Sequence, residues 1–144
     1  MNAFRFRLER VLKFRRTELE LEENRFRQQA AEIGRLDQER AEAWAAGFHA
    51  EHEVRRWRDL AGQDLAALDR FRLAVRARAR GMAERRIELA RLLAEQEVRM
   101  LEARRRERLL ERLKDRRLAE WVVARDRELE AFAGEAFLAR WHRS

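Results

Sequence analysis

Apolar residues recur at a fixed interval along the first part of the chain. Leu12, Leu19, Phe26 and Ile33 stand seven residues apart. Seven residues in two turns is 3.5 per turn, which keeps one helix face against a partner helix and imposes a left-handed supercoil. The complementary row, Leu8, Arg15, Glu22, Gln29, Leu36 and Ala43, is mixed. This pattern predicts a first helix over about residues 4–60. Beyond Arg40 the register is expected to loosen. Arg40 and Gly47 fall on the strong row, and the bulky residues move to Trp44 and Phe48, one turn apart. Val54 and Trp57 then return to the seam.

The clearest interruption is Asp59-Leu60-Ala61-Gly62-Gln63, after which Asp64 brings a negative charge to the start of a new helix, where the dipole favours it. Gly81 predicts a second break, which would leave a turn and a short middle helix over about residues 61–80. A second long helix is expected over about 82–142. Its apolar positions are Ile87, Leu89, Leu92, Leu93, Val98, Leu101, Leu109, Leu110, Leu113 and Leu118, followed by a heptad at Val122, Leu129, Phe132 and Ala136. Between Leu101 and Leu109 the run Glu102-Ala103-Arg104-Arg105-Arg106-Glu107-Arg108 offers almost no seam residue. The pairing there must be weak, wet or held by ion pairs across the helices. Two helices of similar length joined by a short segment pack most simply as an antiparallel hairpin. The expected fold is therefore all-α: a single domain over 1–144, a rod-shaped antiparallel two-stranded coiled coil with each helix roughly 80 Å long at about 1.5 Å per residue.

Composition supports a thin helical structure over a globule. Charged residues make up 42% of the 144 residues, against a usual share of about 25%, and a compact domain could not keep so many on its surface. Proline is absent. Four Trp and eight Phe argue against a disordered chain. There is no cysteine, which excludes a disulfide framework and a thiolate metal site. The opening Met1-Asn2-Ala3-Phe4-Arg5-Phe6-Arg7 has no apolar run of the kind a signal peptide carries, and no window resembles a membrane span. A soluble cytoplasmic protein is expected. The net charge of +7 is uneven. Residues 1–60 hold 13 basic and 12 acidic groups, and residues 61–144 hold 21 and 15. The second half is expected to face an acidic partner or surface.

No catalytic constellation emerges, and no catalytic, cofactor-binding or metal-binding residue is assigned. His49 and His52, three apart beside Glu53, have a spacing that can bind a metal but lack further ligands. No phosphate-binding glycine loop or nucleophile elbow occurs. The basic runs Arg70–Arg80 and Arg104–Arg117 could bind nucleic acid without sequence preference. The second run, however, is interleaved with Glu107, Glu111 and Asp115 at spacings that suit ion pairs within the helix. The aromatics admit two readings. They fill places where the helices splay apart, or Trp44 and Phe48 join Phe71 and Val75 in an exposed apolar patch rimmed with charge, which is the character of a protein-binding site.

The ends of the chain carry a resemblance. Phe4-Arg5-Phe6-Arg7-Leu8-Glu9-Arg10-Val11-Leu12-Lys13-Phe14-Arg15 resembles the opening of the bacterial flagellar export protein family FliJ, with its Phe-x-Phe-x-Leu-x-x-Val-Leu core. Leu109-Leu110-Glu111-Arg112-Leu113-Lys114-Asp115-Arg116-Arg117-Leu118-Ala119-Glu120-Trp121 and Leu129-Glu130-Ala131-Phe132-Ala133 are similar to motifs of that family's second helix. The resemblance implies a non-enzymatic stalk of the type III export apparatus, peripherally associated with the inner membrane at the flagellar base. Its implied partners are the ring of an export ATPase, the cytoplasmic linker of a membrane export gate, and export chaperones. It implies gate contacts at Trp44, Phe48, Phe71 and Val75, with Arg78 and Met82 departing from the family further along that face. It implies ATPase contacts at Phe4, Phe6, Leu8, Leu12, Phe132, Phe137 and Trp141. Alternatives from the residues themselves are the equivalent stalk of an injectisome, a basic coiled-coil nucleic-acid binder, and a scaffold whose helices pair between chains. The hairpin reading predicts a monomer.

Overall fold

The computed structural model describes residues 2–57 and 59–144. It is a helical hairpin of two long helices, α1 (Glu9–Arg55) and α2 (Gly62–Arg143). The first helix is shorter at both ends than its pattern predicts: residues 2–8 precede it, and Arg58, inside the expected span, lies outside the described residues. α1 finishes in a tightened turn in which the amides of Arg56 and Trp57 donate to the carbonyls of Glu53 and Val54, both at 3.1 Å. α2 opens on a reciprocal cap. The amide of Asp64 donates to the Ala61 carbonyl at 3.0 Å, and the Asp64 carboxylate accepts from the Ala61 amide at 3.1 Å.

The short middle helix does not exist as a separate element. α2 runs unbroken through Gly81, which has no positive φ. One glycine costs about 1 kcal/mol in helix propensity, less than the packing of a long seam supplies. Nothing lies within 4 Å of where a Gly81 side chain would begin, so no close approach of a neighbour requires the glycine.

The chain divides into two compact units. One comprises residues 1–21 with 100–144, the other residues 22–99. In the first unit, Glu9 pairs with Lys114 at 2.9 Å, Arg16 with Glu111 at 3.2 Å, and Glu18 with Arg106 at 3.4 Å. In the second, Gln96 bonds Glu22, Arg85 pairs with Glu32 at 3.2 Å, Arg86 with Asp37 at 2.7 Å, and Arg72 with Glu51. From Glu9–Lys114 to Glu18–Arg106, and from Glu22–Gln96 to Glu51–Arg72, one number falls as the other rises, so within each unit the helices are antiparallel.

The seam of α1 keeps its seven-residue step without the expected loosening. Arg40, Ala43, Gly47, Ala50 and Val54 are all partly buried on it, while Trp44 and Phe48 point outward. Gly47 belongs there because the second helix comes close: a Cβ at this position would meet Val75 Cγ1 at 3.6 Å.

The seam of α2 is where the structure departs most from the apolar pattern. Its buried and half-buried positions are Leu68, Arg72, Val75, Met82, Arg86, Leu89, Leu93 and Gln96 in one unit, and Met100, Ala103, Glu107, Leu110 and Lys114 in the other. Ile87, Val98, Leu101 and Leu109, all apolar positions of the sequence pattern, are exposed, Ile87 by 73%. The heptad Leu129, Phe132 and Ala136 is exposed as well. The charged stretch between Leu101 and Leu109 is held by ion pairs, Arg106 to Glu18 and Arg16 to Glu107, around a buried Ala103.

Buried apolar side chains among the described residues are few: Leu12, Leu36, Leu89 and Ala103. Two polar side chains join them. Gln96 is 1% exposed and donates through Nε2 to both the carbonyl and the carboxylate of Glu22. Glu107 is 9% exposed. Burial pushes its carboxyl above the usual carboxylate range, and the neighbouring Glu111 adds to this, while Arg16 and Arg108 pull the other way.

A raised folded value means that folded Glu107 still holds a proton at a pH where the unfolded chain has released it. Its contribution is therefore greatest in acid and is lost as pH rises from about 4.5 through the folded value. Glu107→Gln cannot ionise. Its melting temperature relative to the parent is expected to be near zero difference around pH 3–4 and higher by a few degrees at pH 7, read by circular dichroism at both values. A difference that does not change with pH would mean that Glu107 is not the buried titrating group. Glu9, Asp37, Glu51, Glu88 and Glu102 behave oppositely. Arginine or lysine hydrogen bonds hold each below its ordinary value, Glu102 at about 2 through Arg105. Their pairs are lost as pH falls through those values, and because all five remain partly open to solvent they contribute little each.

Candidate protein-binding surfaces

In the unit of residues 22–99, Trp44 and Phe48 stand one turn apart on α1 with their rings stacked, centroids 5.7 Å apart and planes at 11°. His52 continues the stack, 6.4 Å from Phe48. Their faces are turned outward because the seam positions beside them, Ala43, Gly47 and Ala50, are small. Trp44 is 72% exposed. Across from them α2 presents Phe71 and Val75. All four residues line one groove of about 370 Å³. The Glu51–Arg72 pair and Arg76 form its polar rim. The four side chains expected together are thus brought together from the two helices. Val75 differs from the other three in being half-buried against Gly47, so it is both wall and seam.

The groove continues into a second one of about 370 Å³, where Trp44 and Val75 meet Arg78 and Met82. Beyond Phe71, a third of about 260 Å³ is lined by Val54, Trp57 and Leu68. Trp57 is half-exposed here and does not rejoin the seam as a core residue.

In the other unit, Phe4, Phe6 and Leu8 line a groove of about 560 Å³ with Leu113, Arg117 and Trp121. Phe4 tilts against Trp121 at 6.1 Å, and the Arg125 guanidinium lies 5.1 Å over the Trp121 ring. Trp121 is therefore the organising aromatic of this end, although the sequence reading does not assign it a role. Leu12, expected among the ATPase contacts, is completely buried and is a seam residue unavailable to a partner. Phe132, Phe137 and Trp141 are not brought to Phe4 and Phe6. They lie eleven to twenty residues past Trp121, about 16 to 30 Å along the helix, on a stretch exposed throughout. Phe137 and Trp141 stack on each other at 6.4 Å.

Further along α2, Leu101, Arg104, Arg105, Arg108, Leu109 and Arg112 line a groove of about 240 Å³. The sequence reading misses it because Glu107 and Glu111 are expected to neutralise these arginines within the helix. Both instead approach Arg16 of α1. Among the described residues no group of three or more His, Asp or Glu side chains is placed to hold a metal ion, and no helix is long and apolar enough to cross a membrane. No protein-family model, no curated protein and no solved structure matches the chain.

Proposed function

We propose that this protein is a non-catalytic stalk of the flagellar type III export apparatus, soluble and peripheral to the inner membrane. In this reading it binds and stimulates a ring-shaped export ATPase, engages a membrane export gate, and escorts export chaperones. The observation that carries it is the groove shared by Trp44, Phe48, Phe71 and Val75, four side chains the family resemblance assigns to the gate. A concave apolar surface with an arginine rim, built from both helices of a hairpin, is suited to gripping a short segment of another protein. Further support comes from Phe137 and Trp141, a stacked aromatic pair open to solvent, which is the kind of anchor that dominates protein interfaces.

The test is ATP hydrolysis by the export ATPase of the same genome, with and without this protein. Stimulation accompanied by ring formation supports the stalk. Phe137→Ala with Trp141→Ala should then raise the concentration needed for stimulation by about tenfold or more, without loss of helicity. No stimulation of an active ATPase by the folded protein would overturn the reading.

A further inference from the structure

We infer that the arginine-rich groove of α2 around Leu101 and Leu109 is the docking site for an acidic amphipathic helix of another protein. The groove differs from an ordinary charged helix face in two ways. Two of its acidic neighbours are engaged elsewhere: Glu107 and Glu111 approach Arg16, while Glu102 is shared between Arg105 of the groove at 2.7 Å and Arg106 at 3.2 Å. Asp115 lies three residues beyond Arg112, past the end of the groove. Arg108 and Arg112 make no ion pair among the described residues, although Glu107 is within electrostatic range of Arg108. Positive charge is left over at these two arginines, both of which are exposed.

The second difference is apolar. Leu101 and Leu109 are about half-exposed in the midst of that charge. Bare phosphates would be held by the arginines alone and would have no use for two leucines. The leucines lie eight residues apart, about 12 Å along the helix. A partner helix laid alongside would present its own apolar residues at intervals of seven or eight and its carboxylates on the flanks. Such a helix would cover the leucines and satisfy the arginines together. The surface is separate from the groove at Trp44 and from the aromatics at Phe137, so the inference goes beyond the export reading.

The test uses the full chain and a fluorescent, helix-forming peptide with leucines at spacings of three and four and glutamates elsewhere. Binding is read by anisotropy, with helicity followed by circular dichroism. Leu101→Ala with Leu109→Ala, which preserve helix propensity, should weaken binding about tenfold or more, and so should Arg108→Glu with Arg112→Glu. If the charge reversal lowers helicity, Arg108→Gln with Arg112→Gln replaces it. Arg70→Glu with Arg80→Glu changes net charge equally and should have little effect. Equal weakening by that control would reduce the effect to bulk charge. Leucine variants that bind as the parent does, with an oligonucleotide competing, would make the groove a polyanion site. Self-association on sedimentation, removed by Arg108→Glu with Arg112→Glu, would make the occupant a second copy. Each of these three results overturns the inference.

Discussion

Leu89→Asp is expected to abolish the cooperative thermal transition, while Ile87→Asp, two residues away, leaves it almost unchanged. Leu89 is 5% exposed, on the seam between the Arg85–Glu32 pair and Gln96. Losing a buried leucine costs about 2–5 kcal/mol, and placing an unpaired carboxylate there adds several more. Domains of this size are stable by about 5–15 kcal/mol, and here the buried apolar side chains are few, so one such change consumes most of the margin. Ile87 is exposed and touches no comparable seam, so aspartate there is an ordinary surface change of about 0.5 kcal/mol. Similar losses at both positions would show that the seam is misplaced.

The second large effect is expected on binding. On the proposed export reading, Trp44→Ala with Phe48→Ala should weaken capture of an export gate's cytoplasmic linker by about 2–4 kcal/mol, roughly 30-fold or more, since buried aromatic anchors carry most of the energy of such interfaces. Both side chains are well exposed in the free protein, so the helical signal should be retained. Phe71→Ala with Val75→Ala is a less clean pair, because Val75 also packs against Gly47, and some loss of stability is expected with it. Unchanged gate binding by the Trp44 and Phe48 variant, folded and monomeric, would remove the groove from the proposed mechanism.

The first helix was legible in the sequence because large apolar residues mark its seam at Leu12, Leu19, Phe26 and Ile33. Even where that row turns to Arg40 and Gly47, its step continues, and the bulky Trp44 and Phe48 distract from it only because outward-facing aromatics look like core. The second helix was not legible for the converse reason. Its seam is filled by Arg86, Gln96, Ala103, Glu107 and Lys114, whose long stems or small size pack without appearing apolar, while Ile87, Val98 and Leu109 lie outside. A two-helix seam has only one partner to satisfy, so polar residues can sit on it and reach solvent or the opposite helix at its edges. Gly81 misled because a glycine marks a break only where no neighbouring helix holds the backbone in place. The groove at Trp44 was legible because one-turn pairs on each helix announced it. The groove at Leu101 was not, because only the folded pairing shows that Glu107 and Glu111 approach Arg16.

A chain written so largely in Arg, Glu, Leu and Ala could slide one helix past the other by a heptad and still find apolar neighbours and opposite charges almost everywhere. Gln96 makes those slipped alignments unequal. Its amide is sealed from water and donates to the backbone and side chain of one residue, Glu22. A slip would leave it buried without them, at a cost of about 1–3 kcal/mol. A leucine in its place would hold the helices together more tightly and in more ways. The position therefore works as a punctuation mark: it contributes less to how strongly the two helices adhere than to where each of them is read as beginning, and so to whether Trp44 and Phe48 of one helix arrive opposite Phe71 and Val75 of the other.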